Sequence, residues 1–228
     1  MPENSLLPIS KLFLEGSPRA STTHLLILQH ALRDTCEFIK LAQKAGYSIS
    51  TFIAKPNSLD SEAVVAIGNL GVRVIEEPYS VIEESEILDQ ILISEVDLCK
   101  KHKKRLVIVD VGGYFCAPIK RADKEVINHV AGIVEVTTFG HNRYISDQVN
   151  LPLPVISLAR SPLKDGEAHH VGETVVQATE DLLRDAGLIL NGKVFGVIGY
   201  GMIGSRIANA LQKRGPVSYT HLTLPTKA

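Results

Sequence analysis

The chain has 228 residues, a formal net charge of −1, 45% hydrophobic and 21% charged residues. That length suits one large or two small domains, and the apolar content is enough to fill a core. The balanced charge gives no general attraction to nucleic acid or to an anionic membrane.

Cys36, Cys99 and Cys116 are far apart and form no C-x-x-C pair. Such sparse cysteines point to buried thiols in a reducing compartment. No apolar run reaches the roughly 18 residues that span a bilayer. Residues 1–4 lack the basic start of a signal peptide, so a cytoplasmic location is expected. The basic run 100–105 reads as a solvated helix end whose lysines complement the dipole. His169 and His170 are adjacent, cannot share a helix face and have no third ligand at useful spacing, so no metal is expected.

Short apolar runs alternate with longer amphipathic ones. Strands are expected over 25–28, 48–54, 72–75, 106–110, 133–136 and 155–157. Helices are expected over 32–45, from a Ser61 cap to residue 70, over 83–102 and over 173–186, with a turn at 56–58 and Gly187 as a C-cap. Strands separated by helices imply parallel pairing through right-handed crossovers, and apolar rather than alternating strands imply cover on both faces. The fold class is therefore α/β, an open parallel three-layer sheet. Ligands of such sheets bind beyond the carboxyl ends of the strands, where His30, Asn57, Ser58, Asp110, Thr137, Thr138 and Ser157 fall.

A strand over 193–198, the loop Gly199-Tyr200-Gly201-Met202-Ile203-Gly204 and a helix over 205–213 form the opening of a dinucleotide-binding Rossmann unit. The first glycine permits the turn, the second lets backbone approach a pyrophosphate, and the third lets helix pack on strand. The helix N-terminus offers N–H groups to phosphate. The acid that should hold the ribose roughly 20 residues on is missing, since no Asp or Glu follows Gly204. Residues 217–228 continue nothing before them and resemble translated sequencing-adapter sequence. The expected organisation is a substrate-type domain over 1–188, the start of a truncated NAD-binding domain over 189–216, and a non-native tail over 217–228. One strand and one helix would leave that sheet unpaired, with Val197 and Ile198 lacking partners, so these residues alone should hold NAD poorly.

The order of these pieces resembles the S-adenosylhomocysteine hydrolase family over roughly residues 24–214. Three stretches carry the likeness: Asp110-Val111-Gly112-Gly113; Gly132-Ile133-Val134-Glu135-Val136-Thr137-Thr138-Phe139-Gly140-His141-Asn142; and Leu190-Asn191-Gly192-Lys193 leading into the glycine loop. The resemblance implies a tightly held NAD, redox-assisted chemistry on a nucleoside-type substrate, and a homo-oligomer when full length. It implies that Gly199, Gly201, Met202, Ile203 and Gly204 hold the cofactor, with Thr137 and Thr138 beside the nicotinamide. It nominates Lys164, Asp110, Glu135 and His30 as catalytic groups.

The chain departs from the family at three acid–base positions, where Val111, Val136 and Ala168 stand in place of carboxylates. Phe139 replaces the third threonine of the family's run. Valine transfers no protons, so ordinary hydrolysis of adenosylhomocysteine is doubtful. Two alternatives stay open. One is a catalytically silent nucleotide-binding relative that regulates a partner. The other is a 2-hydroxyacid-type dehydrogenase, whose cofactor loop is alike.

Overall fold

The computed structural model describes residues 7–16, 20–84, 86–146, 151–215 and 217–221. The chain folds into two compact units, 1–159 and 160–228.

In the first unit, helix α1 (Pro8–Glu15) precedes β1 (Thr23–Ala31), α2 (Arg33–Lys44), β2 (Ser48–Leu59), α3 (Ser61–Gly68) and β3 (Arg73–Ile75). Then come α4 (Tyr79–Glu84), α5 (Ile87–His102), β4 (Arg105–Asp110), α6 (Cys116–Arg121), α7 (Lys124–His129), β5 (Val130–Glu135), α8 (Thr138–Ser146) and β6 (Val155–Ser157). The six strands form one parallel sheet in the order β3-β2-β1-β4-β5-β6. The chain winds outward in one direction from β1 to β3, then returns and winds the other way from β4 to β6. The reversal lies between β1 and β4, which is where doubly wound sheets open a crevice for ligands.

Both faces of the sheet are covered, as the apolar strands require. Leu26, Leu28, Ile53, Leu106, Ile108 and Ile133 pack with α5, α6 and α7 on one face. Leu25, Ile27, Phe52 and Ala54 pack with Ile39 of α2 and Ile67 of α3 on the other. Successive residues of β1 thus enter opposite layers, the period-2 alternation of a strand buried twice over.

Several expected boundaries move. The turn at 56–58 becomes an excursion within β2: Gln29 faces Ala54 but Ala31 faces Leu59, and Asn57 takes a positive φ of 60°. The cap of α3 is Asp60 rather than Ser61, with its carboxylate accepting from the Glu62 N–H at 2.8 Å. The helix expected over 83–102 is two, α4 and α5. Helices α6, α7 and α8 were not expected, because their apolar residues are too few to show a period.

The second unit holds α9 (Leu163–Asp185), β7 (Val194–Ile198), α10 (Met202–Lys213) and β8 (Val217–His221). Helix α9 starts ten residues before the expected 173 and so contains Gly166 and Gly172, which mask its helical pattern. A Cβ on Gly172 would meet Arg206 side chain and backbone, so the glycine admits the close approach of α10. The sequence places a boundary near residue 188, whereas the two units part between Ala159 and Arg160, because α9 packs on α10.

Residues 217–221, expected to lie outside the fold, pair with β7 in parallel register from Val194 opposite Val217 to Ile198 opposite His221. The expectation of an unpaired β7 is corrected accordingly. Val197 is buried with Val176, Leu190, Ala208 and Leu211, while Ile198 stays 94% exposed. Residues 222–228 of the expected tail lie outside the described residues.

Candidate functional site

Strands β4 and β5 end in two buried carboxylates that face each other across the ladder, Asp110 and Glu135. Beyond Asp110 the chain turns sharply through Gly112 and Gly113, whose φ values of 122° and 70° favour glycine. This turn aims its N–H groups at Glu135. Glu135 Oε2 accepts from Gly113 N at 2.8 Å, and the Gly112 N–H reaches both oxygens at 3.3 Å. Oε1 also accepts from the N–H and hydroxyl of Thr137, at 2.6 and 2.8 Å. The acceptor capacity of Glu135 is therefore filled by the chain's own donors. Thr137 in turn accepts from Gly140 N at 2.9 Å, which fixes the start of α8. Gly140 is needed here, because a Cβ would run into the Glu135 carboxylate.

Asp110 is bonded differently. Its Oδ2 accepts from Phe115 N at 2.9 Å and from the Tyr144 hydroxyl at 2.7 Å, while buried Oδ1 has no partner among the described residues. Burial pushes the Asp110 carboxyl up to about 6, aided by the charge of Glu135 and opposed by the Tyr144 and Phe115 hydrogen bonds. Burial and the Asp110 charge likewise hold the Tyr144 phenol well above its usual range.

His30 stands two residues beyond Leu28, which pairs with Asp110, so it lies at the β1–β4 reversal. Its imidazole is half-buried, with Nδ1 unpartnered among the described residues. Burial lowers its pKa, and the nearby Lys55 charge adds to this. The ring is therefore held toward the neutral form, with a lone pair or N–H available to a ligand. Ser157 closes β6 and hydrogen-bonds His141 of α8 at 2.9 Å. Thr138 is exposed at the head of α8, and Phe139 follows it. The first unit thus brings His30, Asp110, Glu135, Thr137 and Thr138 to one edge of its sheet. Two of the apolar substitutions lie there too, Val111 buried and Val136 half-buried.

The second unit carries the remaining candidates. Lys164 lies in the first turn of α9, and its Nζ pairs with both oxygens of Glu167 at 2.6 Å. Ala168 is buried on the same helix. In the glycine loop, Gly199 has a φ of 90°, and a Cβ on Gly204 would collide with the Gly199 carbonyl. Gly201 has open space around its Cα, and Met202 and Ile203 are half-exposed. Helix α10 has Gly201 at its N-cap and no side-chain cap among the described residues, so its first N–H groups are left for a ligand. This cradle fits a pyrophosphate.

Sequence reasoning missed the groups that organise the first-unit site. Tyr144 has no motif to mark it. Arg143, whose guanidinium lies over the rings of Tyr114 and Phe139 and pairs with Glu83 at 2.6 Å, is equally anonymous. Arg143, Tyr114 and Gly113 line a cavity of about 390 Å³ beside the turn that follows β4. A second polar cluster sits at the opposite, amino end of the sheet. There the buried Glu95 accepts from His24 Nε2 at 2.6 Å, Ser50 at 2.5 Å and Thr51 at 2.6 Å. Among the described residues no helix is long and apolar enough to cross a membrane, and no group of three or more His, Cys, Asp or Glu is placed to hold a metal ion.

No family model matches the chain. It is 24% identical over 221 residues to the adenosylhomocysteinase of Acinetobacter baylyi, covering 93% of this chain and 45% of that protein. It is 27% identical over 205 residues to the S-inosyl-L-homocysteine hydrolase of Methanopyrus kandleri, covering 89% of this chain and 45% of the relative. The chain spans about half the length of the curated relatives it matches. A doubly wound sheet with two buried carboxylates at its edge, followed by a glycine-loop unit, accompanies a likeness to these two hydrolases that runs through nearly the whole chain.

Proposed function

We propose that the protein is an NAD-binding enzyme resembling adenosylhomocysteinase, acting by redox-assisted chemistry on a nucleoside-type substrate other than adenosylhomocysteine. The observation that carries this reading is the pairing of two features. One is a polar crevice at the β1–β4 reversal. The other is a glycine loop whose third glycine is packed against the carbonyl of the first. Bound NAD would supply reversible hydride abstraction from a ribose carbon. The chain's own residues would do the rest. Gly199, Gly201 and the first N–H groups of α10 would hold the pyrophosphate, Thr138 would border the nicotinamide, and His30 would offer a neutral imidazole to the sugar.

Asp110 and Glu135 have a different role in this reading from the one their positions first suggest. Glu135 has no acceptor site to spare and Asp110 is sealed from solvent, so both shape the crevice rather than exchange protons with a substrate. With Val111 and Val136 beside them, hydrolysis of adenosylhomocysteine would lack its acid–base groups. The same observation favours a second reading, a nucleotide-binding relative without catalytic activity. The gene product, read in full and loaded with NAD, separates the two. Mixing with adenosine or inosine should raise absorbance at 340 nm if the enzyme reading holds. Absence of any rise with either nucleoside, despite bound cofactor, would count against the enzyme reading.

A further inference from the structure

The C-terminal edge of the first sheet carries a connected series of π contacts. The Tyr79 and Tyr114 rings stack at 6.2 Å between centroids with 18° between planes. The Arg143 guanidinium lies 5.0 Å from the Tyr114 centroid and 4.6 Å from the Phe139 centroid. Two members of the series are tied down. The Tyr79 hydroxyl donates to the Pro56 carbonyl at 3.0 Å, and Arg143 pairs with Glu83 at 2.6 Å. Tyr114 is buried, yet the series ends in Phe139 with 60% of its surface exposed.

An exposed phenylalanine usually has rotamer freedom. This one is held by a cation on one side, four residues along α8, where i and i+4 side chains meet. It stands second in α8, directly after β5, at the sheet edge that borders the crevice. With a guanidinium over the ring and 60% of the residue still exposed, apolar ring surface is left for a planar partner, and aromatic pairs favour offset stacking. The chemistry that fits is a flat heteroaromatic ring.

We infer that Phe139 is a stacking platform, and so a specificity-determining residue, for the planar ring of a nucleotide or nucleoside bound at the carboxyl edge of the first sheet. The inference rests on the function proposed above and deepens it. The ring could come from a nicotinamide or from a nucleobase, and both stack in the same way.

The chain contains no tryptophan, so Phe139→Trp installs a single indole reporter at the platform. The probes are nicotinamide mononucleotide and adenosine, titrated separately. Saturable quenching of the indole by one of them identifies the source of the ring. In parallel, calorimetric titration of the parent, Phe139→Leu and Phe139→Tyr should show affinity for that probe falling about five- to tenfold in the leucine variant and kept in the tyrosine variant. Unchanged far-ultraviolet circular dichroism confirms that the leucine variant is folded. Equal binding by the parent and Phe139→Leu would overturn the platform and leave the proposed function standing. Binding of neither probe by the parent would overturn both.

Discussion

The hydroxyl of Tyr144 donates to Oδ2 of Asp110 at 2.7 Å, and this one bond ties α8 to the end of β4. Both partners are buried, so the bond is shielded from competition by water. Tyr144→Phe would leave the carboxylate with backbone N–H donors alone. The expected loss is about 1–3 kcal/mol of stability, read as a lower urea midpoint at constant m-value.

Asp110 also sets a pH dependence whose sign can be worked out. Its folded pKa of about 6 exceeds its ordinary value of 3.8, so between those values the folded protein binds a proton that the unfolded chain does not. The stability of the parent relative to Asp110→Asn should therefore rise as pH falls from about 6 to about 4, and should be flat above 7. Urea titrations of both proteins across that range measure it, and a difference that is constant or of opposite slope contradicts the burial argument.

Glu135 gathers donors from two segments of chain, so its neutral amide should not substitute. Glu135→Gln would turn an NH₂ group toward N–H donors at Gly112 and Gly113 or at Thr137. The expected cost is about 2–3 kcal/mol, the range for hydrogen bonds to a charged group. Gly140→Ala drives a methyl into the same carboxylate and should cost about 3 kcal/mol, the upper end for overpacking. Thermal melting of the two variants tests both values.

The sheet was legible because its strands are nearly continuous apolar runs, Leu25 to Leu28 and Leu106 to Val109, that nothing else explains. The roles of the site carboxylates were not. Asp110 and Glu135 look alike in sequence, each a single acid closing an apolar strand. What separates them is the set of donors aimed at each, supplied by Gly112, Gly113 and Thr137 in one case and by Phe115 and Tyr144 in the other. Those donors lie up to 34 residues away in sequence. Helix α9 was legible only from residue 173, because Pro162 and Gly166 flank Lys164 and hide the helix start, yet both are accommodated where α9 begins. The cluster of His24, Ser50, Thr51 and Glu95 left no trace at all, since its members are ordinary polar residues until β1, β2 and α5 meet.

That cluster gives a prediction at the other end of the sheet. Burial pushes Glu95 up, but the hydrogen bonds from His24, Ser50 and Thr51 outweigh it and hold the carboxyl below its usual range. Its stabilisation is present above the ordinary carboxylate range and lost as pH falls through the lowered value. Removing one partner of a buried pair costs about 3–5 kcal/mol. Glu95→Ala and His24→Ala should each fall in that range, and the double variant should lose less than their sum by about 1–3 kcal/mol. Additive losses would show that the 2.6 Å contact carries no coupling.

The glycine loop separates fold from binding. Gly204→Ala should destabilise the second unit, because the methyl meets the Gly199 carbonyl. Gly201→Ala meets nothing and should leave the melting temperature within about 1 °C. In the full gene product the same Gly201 variant should weaken NAD binding, since its methyl would stand where backbone must approach the pyrophosphate. Tight NAD binding retained in Gly201→Ala would count against that loop as the cofactor cradle.

The most direct test of the account is nucleoside binding at the β1–β4 reversal. Calorimetric titration with adenosine and with inosine should give saturable binding of at least one of them, weakened about tenfold or more in His30→Ala and retained in Lys100→Ala, a surface change on α5. An absence of saturable binding for both, or affinity indifferent to His30, would contradict a nucleoside site in this crevice.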